Sequence, residues 1–171
     1  YDSFDLKAHE SDEPTLAEDG LFEQLELVWY PVEAEDMYRV AAEQLERAEV
    51  MQVPAMDSVL LAMRHADGMG VLREVTGLER PPQEIKGYVH VFSHDPQNTS
   101  HLKKAFWPMR GEKKLCTVHS FQGWEARYVV LLVSEKIDTR EIDDTFDFIR
   151  TVYVGLSRVA KSEQASTLVV V

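Results

Sequence analysis

Residues 117–125, the opening of the stretch TVHSFQGWEARYVVLLV (117–133), concentrate hydrogen-bonding chemistry directly ahead of an apolar run. Thr117, His119 and Ser120 are types that donate hydrogen bonds to phosphate oxygens. Gln122 and Glu125 offer an amide and a carboxylate that can hold a sugar hydroxyl. Gly123 permits close backbone approach or a positive φ. Taken alone, these residues fit a polar loop with a structural glycine equally well. A second stretch, TVYVGLSRVAKSEQASTLVVV (151–171), sets Ser157, Arg158 and Lys161 near the end of a helical pattern that feeds a strand. Arginine is always charged, and its planar fork matches phosphate oxygens. In that position it has the form of an arginine finger, which neutralises charge developing on a transferring phosphoryl group. A single arginine on a helix is more commonly just a solvated surface residue.

The elements that must carry these residues follow from periodicity. Leu25–Tyr30 (LELVWY) reads as a strand closed by Pro31. Residues 33–49 place Ala34, Met37, Val40, Ala41, Leu45 and Ala48 at helical spacing with an acidic outer face. Residues 57–63 (DSVLLAM) read as a short strand, and HADGMGVLREVTGL as a turn followed by a helix. Pro81-Pro82 breaks the chain. Residues 88–92 (YVHVF) are the next strand, SHDPQNTS a loop, and Leu102–Trp107 a short helix. Strands at 114–118 and 128–133 flank the opening stretch. Residues 147–160 space Phe148, Val152, Leu156 and Val159 like a helix, and Thr167–Val171 is a final strand. Alternating strands and helices imply an α/β fold, a mostly parallel sheet with helices on both faces. Such a sheet binds ligands beyond the carboxyl ends of its strands, where the polar 119–125 turn is expected.

The chain has 171 residues, 44% of them hydrophobic, which suits one domain with a real core. Residues 1–20 are acidic and weakly apolar and read as an arm or a severed connection, leaving 21–171 as the domain. The sequence ends inside its last strand, as a fragment of a longer protein would. It opens Tyr1-Asp2-Ser3 without the basic and apolar regions of a signal peptide. No apolar run is long enough for a membrane span. One cysteine, Cys116, excludes an internal disulfide and fits a reducing cytosol. The net charge of −12 is awkward for a nucleic-acid binder, because phosphate contacts need Lys and Arg. The charge is uneven: residues 101–114 hold Lys103, Lys104, Arg110, Lys113 and Lys114 against Glu112, which leaves room for a locally positive stripe.

Together the two polar stretches resemble a known family. TVHSFQGWEARYVVLL is similar to motif V of superfamily 1 helicases and VYVGLSRVAK to their motif VI, in the family's order. The resemblance is closest to UvrD/Rep-type DNA helicases, concerns their second RecA-like domain, and covers about the last third of the chain. It implies that Glu125 approaches the nucleotide ribose and that Gly123, beside Gln122, lies against the nucleotide and the domain interface. By the same resemblance Thr117 and His119 serve the DNA strand or the link between the two sites, Ser120 is a further nucleic-acid contact, and Arg158 is the arginine finger. ATP and Mg2+ are then ligands, single-stranded or forked DNA the partner, and the cytoplasm the setting. Ser157 stands where Thr is commoner, and Gln122 where UvrD-like enzymes usually have Lys, so translocation polarity is left open. Nothing fits the phosphate-cradling loop G-x-x-x-x-G-K-[ST], no strand ends in a magnesium-holding acidic pair, and no segment reads as motif IV, with Arg64 set aside. The chain therefore reads as half an engine. The P-loop, the metal and the water-activating acid would belong to an N-terminal RecA-like domain of the same polypeptide.

Other clusters yield blander readings. His90, His94, His101 and Asp95 raise a metal site only weakly and read as ordinary strand and loop residues. Cys116 reads as a small core residue. Asp143, Asp144 and Asp147 read as charge near a helix N-terminus. Lys103, Lys104, Phe106, Trp107 and Arg110 mix basic and aromatic groups as single-strand binders do, yet Phe106 and Trp107 are expected in the core, as is Trp124. The rival functions are a non-catalytic protein-interaction module and, more weakly, a small metal-dependent enzyme.

Overall fold

The computed structural model describes residues 25–106, 111–134, 142–160 and 166–171. The acidic 1–20 segment, Trp107, Arg110 and Lys161 lie outside them. Six strands, β1 (Leu25–Trp29), β2 (Ser58–Ala62), β3 (Tyr88–His90), β4 (Lys113–Thr117), β5 (Tyr128–Leu132) and β6 (Ser166–Val170), form one sheet in the order β1-β6-β5-β2-β4-β3. Every pairing is parallel. Strands β2, β4, β5 and β6 are buried at every position; the largely apolar runs of β2 and β5 are what a sheet covered on both faces requires, whereas β4 (KKLCT) also buries two lysines.

The α-helices among the described residues are α1 (Met37–Val50), α2 (His65–Thr76), α3 (Pro96–Ala105) and α4 (Ile142–Leu156). Helices α1 and α2 pack together over β2, β4 and β5. Tyr128 lies close enough to Arg47 of α1 to feel its charge. Leu131, three residues along β5 and therefore on the other face, meets Gly155 of α4, where an added Cβ would lie 2.7 Å from the leucine side chain. The expected α/β sheet with helices on both faces is thus the one observed.

Local chemistry explains where the elements differ from their sequence patterns. Helix α2 begins at His65 and runs straight through Gly68 and Gly70, which were expected in a turn. These glycines are kept for space: a Cβ on Gly68 would lie 2.1 Å from the Phe92 ring, and one on Gly70 2.5 Å from Tyr38. Their poor helix propensity of about 1 kcal/mol each is offset by this close packing. Helix α3 starts within the expected loop. Asp95 caps it by accepting a hydrogen bond from Gln97 N–H at 2.9 Å, and Pro96 takes the first turn, where its missing N–H is harmless. Phe106 and Trp124 pack against the core as expected, and Cys116 is fully buried, its thiol pushed up by desolvation. Helix α4 begins at Ile142, so Asp143 and Asp144 fall in its first turn.

The expected positive stripe does not form from its last two lysines. Lys113 is buried at the start of β4 and pairs with Glu46 at 2.6 Å and Glu49 at 2.7 Å, both from α1. Lys114 is buried beside it and donates to the Met56 carbonyl. Desolvation lowers the Lys114 pKa from 10.5 to about 8. The folded chain therefore releases this proton earlier than the unfolded chain, so stability rises with pH between about 8 and 10.5. Lys114→Met is expected to raise the urea midpoint at pH 7, where the wild-type ammonium is charged and buried. That advantage should fade as pH climbs through the same window, which urea unfolding of both proteins at several pH values will read.

Candidate functional site

The polar stretch does not sit at one edge of the sheet. Thr117 ends β4 and is level with Ala62 of β2, which is level in turn with Leu132 at the carboxyl end of β5. Tyr128 opens β5 at the amino end. Because β4 and β5 both run parallel to β2, the intervening residues must travel back down the sheet, roughly 13 Å for a strand of this length. The expectation that residues 119–125 all lie beyond the carboxyl ends is corrected accordingly. The first residues lie there, and the last ones lie at the opposite, amino edge.

The upper end is built by Thr117. Its hydroxyl accepts from the Ser120 N–H at 3.2 Å and lies 2.9 Å from the Ser120 hydroxyl, capping a 3-10 turn over Val118–Phe121. Val118 and Phe121 are buried and anchor the turn against α4, while His119 is exposed. Gln122 and Gly123 follow on the descent, both exposed. Gly123 has φ +87° with nothing within 4 Å of an added Cβ. It therefore serves the left-handed backbone and not a tight approach. The Trp124 N–H then bonds the Phe121 carbonyl at 3.1 Å, and Trp124 packs inward.

The lower end joins the two polar stretches directly. Ala126 pairs with Val159 in a parallel bridge. The Ala126 N–H donates to the Arg158 carbonyl at 3.0 Å, and the Ala160 N–H donates to the Ala126 carbonyl at 2.8 Å. Exposed Glu125 and half-buried Arg158 therefore flank one two-bond bridge at the amino edge, although 33 positions separate them in the chain. Arg158 folds back over the end of α4. Its Nε donates to the Val154 carbonyl at 3.0 Å and its Nη2 to the Ser157 hydroxyl at 2.9 Å. Neither Glu125 nor Arg158 is engaged in an ion pair among the described residues.

Sequence reasoning passed over a further cluster at the carboxyl edge. Arg64, one residue beyond Met63 and β2, clamps fully buried Asp67 with Nε and Nη2, each at 2.9 Å. Ser134, just past β5, donates to the same carboxylate at 2.8 Å and accepts from Arg64 Nη2 at 2.7 Å. The Tyr38 hydroxyl from α1 adds a donor at 3.2 Å. The signal was available: an Arg and an Asp three residues apart, straddling the start of a helix directly after a buried strand. The histidine group is not brought together. His90 is buried with its pKa lowered by desolvation, whereas His94 and His101 are exposed. Among the described residues no group of three or more His, Cys, Asp or Glu side chains converges as a metal site, and no helix is long and apolar enough to cross a membrane.

No family model matches the chain, and no curated protein matches it. Its two-ended polar crossing and the bridge at the amino edge are what bear on function. The Asp67 cluster makes a stability prediction of its own. Asp67→Asn replaces a carboxylate that accepts four hydrogen bonds and turns an amide N–H toward a cation. It is expected to cost about 2–4 kcal/mol, with Ser134→Ala costing about 1 kcal/mol, both measured by urea unfolding.

Proposed function

We propose that this chain is the second motor domain of an ATP-dependent DNA helicase or translocase, supplying an arginine finger and DNA contacts to a P-loop domain of the same polypeptide. The observation that carries the reading is the Ala126–Val159 bridge, which holds Glu125 and Arg158 at one open edge. Glu125 supplies a carboxylate for a ribose hydroxyl, and Arg158 a fixed positive charge for the γ-phosphate. Exposed His119 and half-buried Ser120, on the turn that buried Thr117 caps, occupy the other end of the same crossing and face DNA phosphates. Gln122 and Gly123 lie between, so a shift at the nucleotide edge is passed along a short, twice-anchored segment to the DNA edge. ATP is held between the two domains. Magnesium would be held by the P-loop domain and would supply charge neutralisation to the phosphates there. The rate enhancement comes from positioning and charge stabilisation, with no covalent step on this chain.

The rival reading, a non-catalytic protein-interaction module, draws on the net charge of −12 and on an open cleft of about 480 Å³. There Glu43, Glu46 and Glu74 surround Ala42, Val75 and Tyr88. ATPase assays separate the two. The isolated chain is expected to hydrolyse no ATP. In the longer polypeptide, with its upstream domain, Arg158→Ala should lower kcat by about 10³-fold or more while the fold, followed by circular dichroism, is unchanged. Unaltered turnover in that variant favours the interaction module. Turnover by the isolated chain that survives repurification and is lost with Arg158→Ala contradicts the division of labour between the domains.

A further inference from the structure

Arg127 is the residue between the bridge and β5. Its carbonyl accepts from the Thr167 N–H at 2.8 Å, which fixes its backbone at the amino end of the β5–β6 pair. Its side chain is half-buried. Its Nε is fully shielded from solvent and has no hydrogen-bond acceptor. No described carboxylate pairs with it, although the chain carries 30 acidic residues against 18 basic ones.

Arg127 stands at a bend, one residue before β5 and one after the Ala126–Val159 bridge. Two acids lie near it in the fold: exposed Glu125, two residues earlier, makes no ion pair among the described residues, and Glu26 of β1, level with Thr167 and Tyr128, accepts from the Thr167 hydroxyl at 3.4 Å. Helix α4 ends at Leu156, immediately before Ser157 and Arg158. Arg127 and Arg158 therefore stand on either side of one two-bond bridge at the amino edge of β5 and β6. Partial burial of a cation without a counter-charge is unfavourable in the chain alone. A multiply charged anion shared with Arg158 would offset that cost, and a guanidinium presents donors suited to phosphate oxygens.

We propose that Arg127 and Arg158 together form a two-cation site for a polyphosphate at the amino edge of β5 and β6, with Arg127 a second phosphate-binding residue beside the arginine finger. The inference rests on reading that edge as nucleotide-facing. It adds a residue to it and assigns the site to the phosphate chain and not to the base or sugar.

Titration of the 171-residue chain with inorganic tripolyphosphate, followed by calorimetry at low salt, tests it. Arg127→Met keeps the aliphatic stem and removes the charge. It is expected to weaken tripolyphosphate binding by about fivefold or more and to leave the urea midpoint unchanged or higher, because a desolvated charge has been removed. A purely structural arginine would give the reverse, a lower midpoint with affinity intact. Arg127→Lys should restore part of the affinity. Wild-type affinity in Arg127→Met, or no tripolyphosphate binding by the wild-type chain, overturns the proposal. Loss of binding in Arg158→Met alone sinks the role of Arg127 while leaving the nucleotide-facing reading intact.

Discussion

Parallel pairing is the constraint from which the candidate site follows. Where two strands in one sheet run the same way, the chain must return to the starting edge before the second can begin. Between β4 and β5 that return is made in ten residues without an α-helix, from Thr117 level with one end of β5 to Tyr128 at the other. So short a crossing has no slack. It is held by the Thr117 cap and buried Phe121 above, by the Gly123 turn on the way, and by two backbone hydrogen bonds to the 158–160 segment below. The same constraint sends α4 back to the amino edge, which brings its last turn to the foot of the crossing. Residues distant in sequence meet there because both connections must end where a strand starts.

Burial decides which polar groups can respond to a ligand. The interior of the sheet is apolar, and the polar groups that enter it are tied up. Asp67 is saturated by Arg64, Ser134 and Tyr38, and Lys113 is neutralised by two glutamates of α1. These networks fix α1 and α2 to the sheet. By contrast, His119, Gln122 and Glu125 are exposed, and among the described residues Arg158 is held by neutral oxygens of its own helix end. These groups lie along the crossing and at its lower anchor.

Much of the sheet was legible in the sequence, because buried parallel strands are written as unbroken runs such as Val59–Ala62 and Tyr128–Leu132, which little else in a chain of this size requires. Helix α1 was legible from its apolar spacing. What escaped notice depended on partners distant in sequence. Gly68 and Gly70 look like turn residues until Phe92 and Tyr38 are seen against them. The start of α3 was obscured by a loop-like composition, though Asp95-Pro96 is a capping signal in its own right. Lys113 and Lys114 looked like surface charge because the glutamates and the carbonyl that receive them lie on other elements. For the candidate site, residue types drew attention to Thr117, Glu125 and Arg158, and the resemblance of the two stretches to a known family joined them into one expected site. The division of the stretch between two edges was not legible, since it depends on which strands pair and in which direction. The Arg64–Asp67 clamp went unread because its third partner, Ser134, is 70 positions from Arg64.

Glu125 and Arg158 act together only if the bridge between Ala126 and Val159 is a persistent feature of the folded chain. Hydrogen exchange of the Ala126 and Ala160 amides, followed by NMR, reads that bridge directly, because each amide donates one of its two bonds. Slow exchange at both, at matching rates and with protection like that of the β6 amides, is the expected result. Exchange at either amide as fast as that of an open loop would mean the two stretches are not held at one edge, and the shared nucleotide-facing site would have to be abandoned.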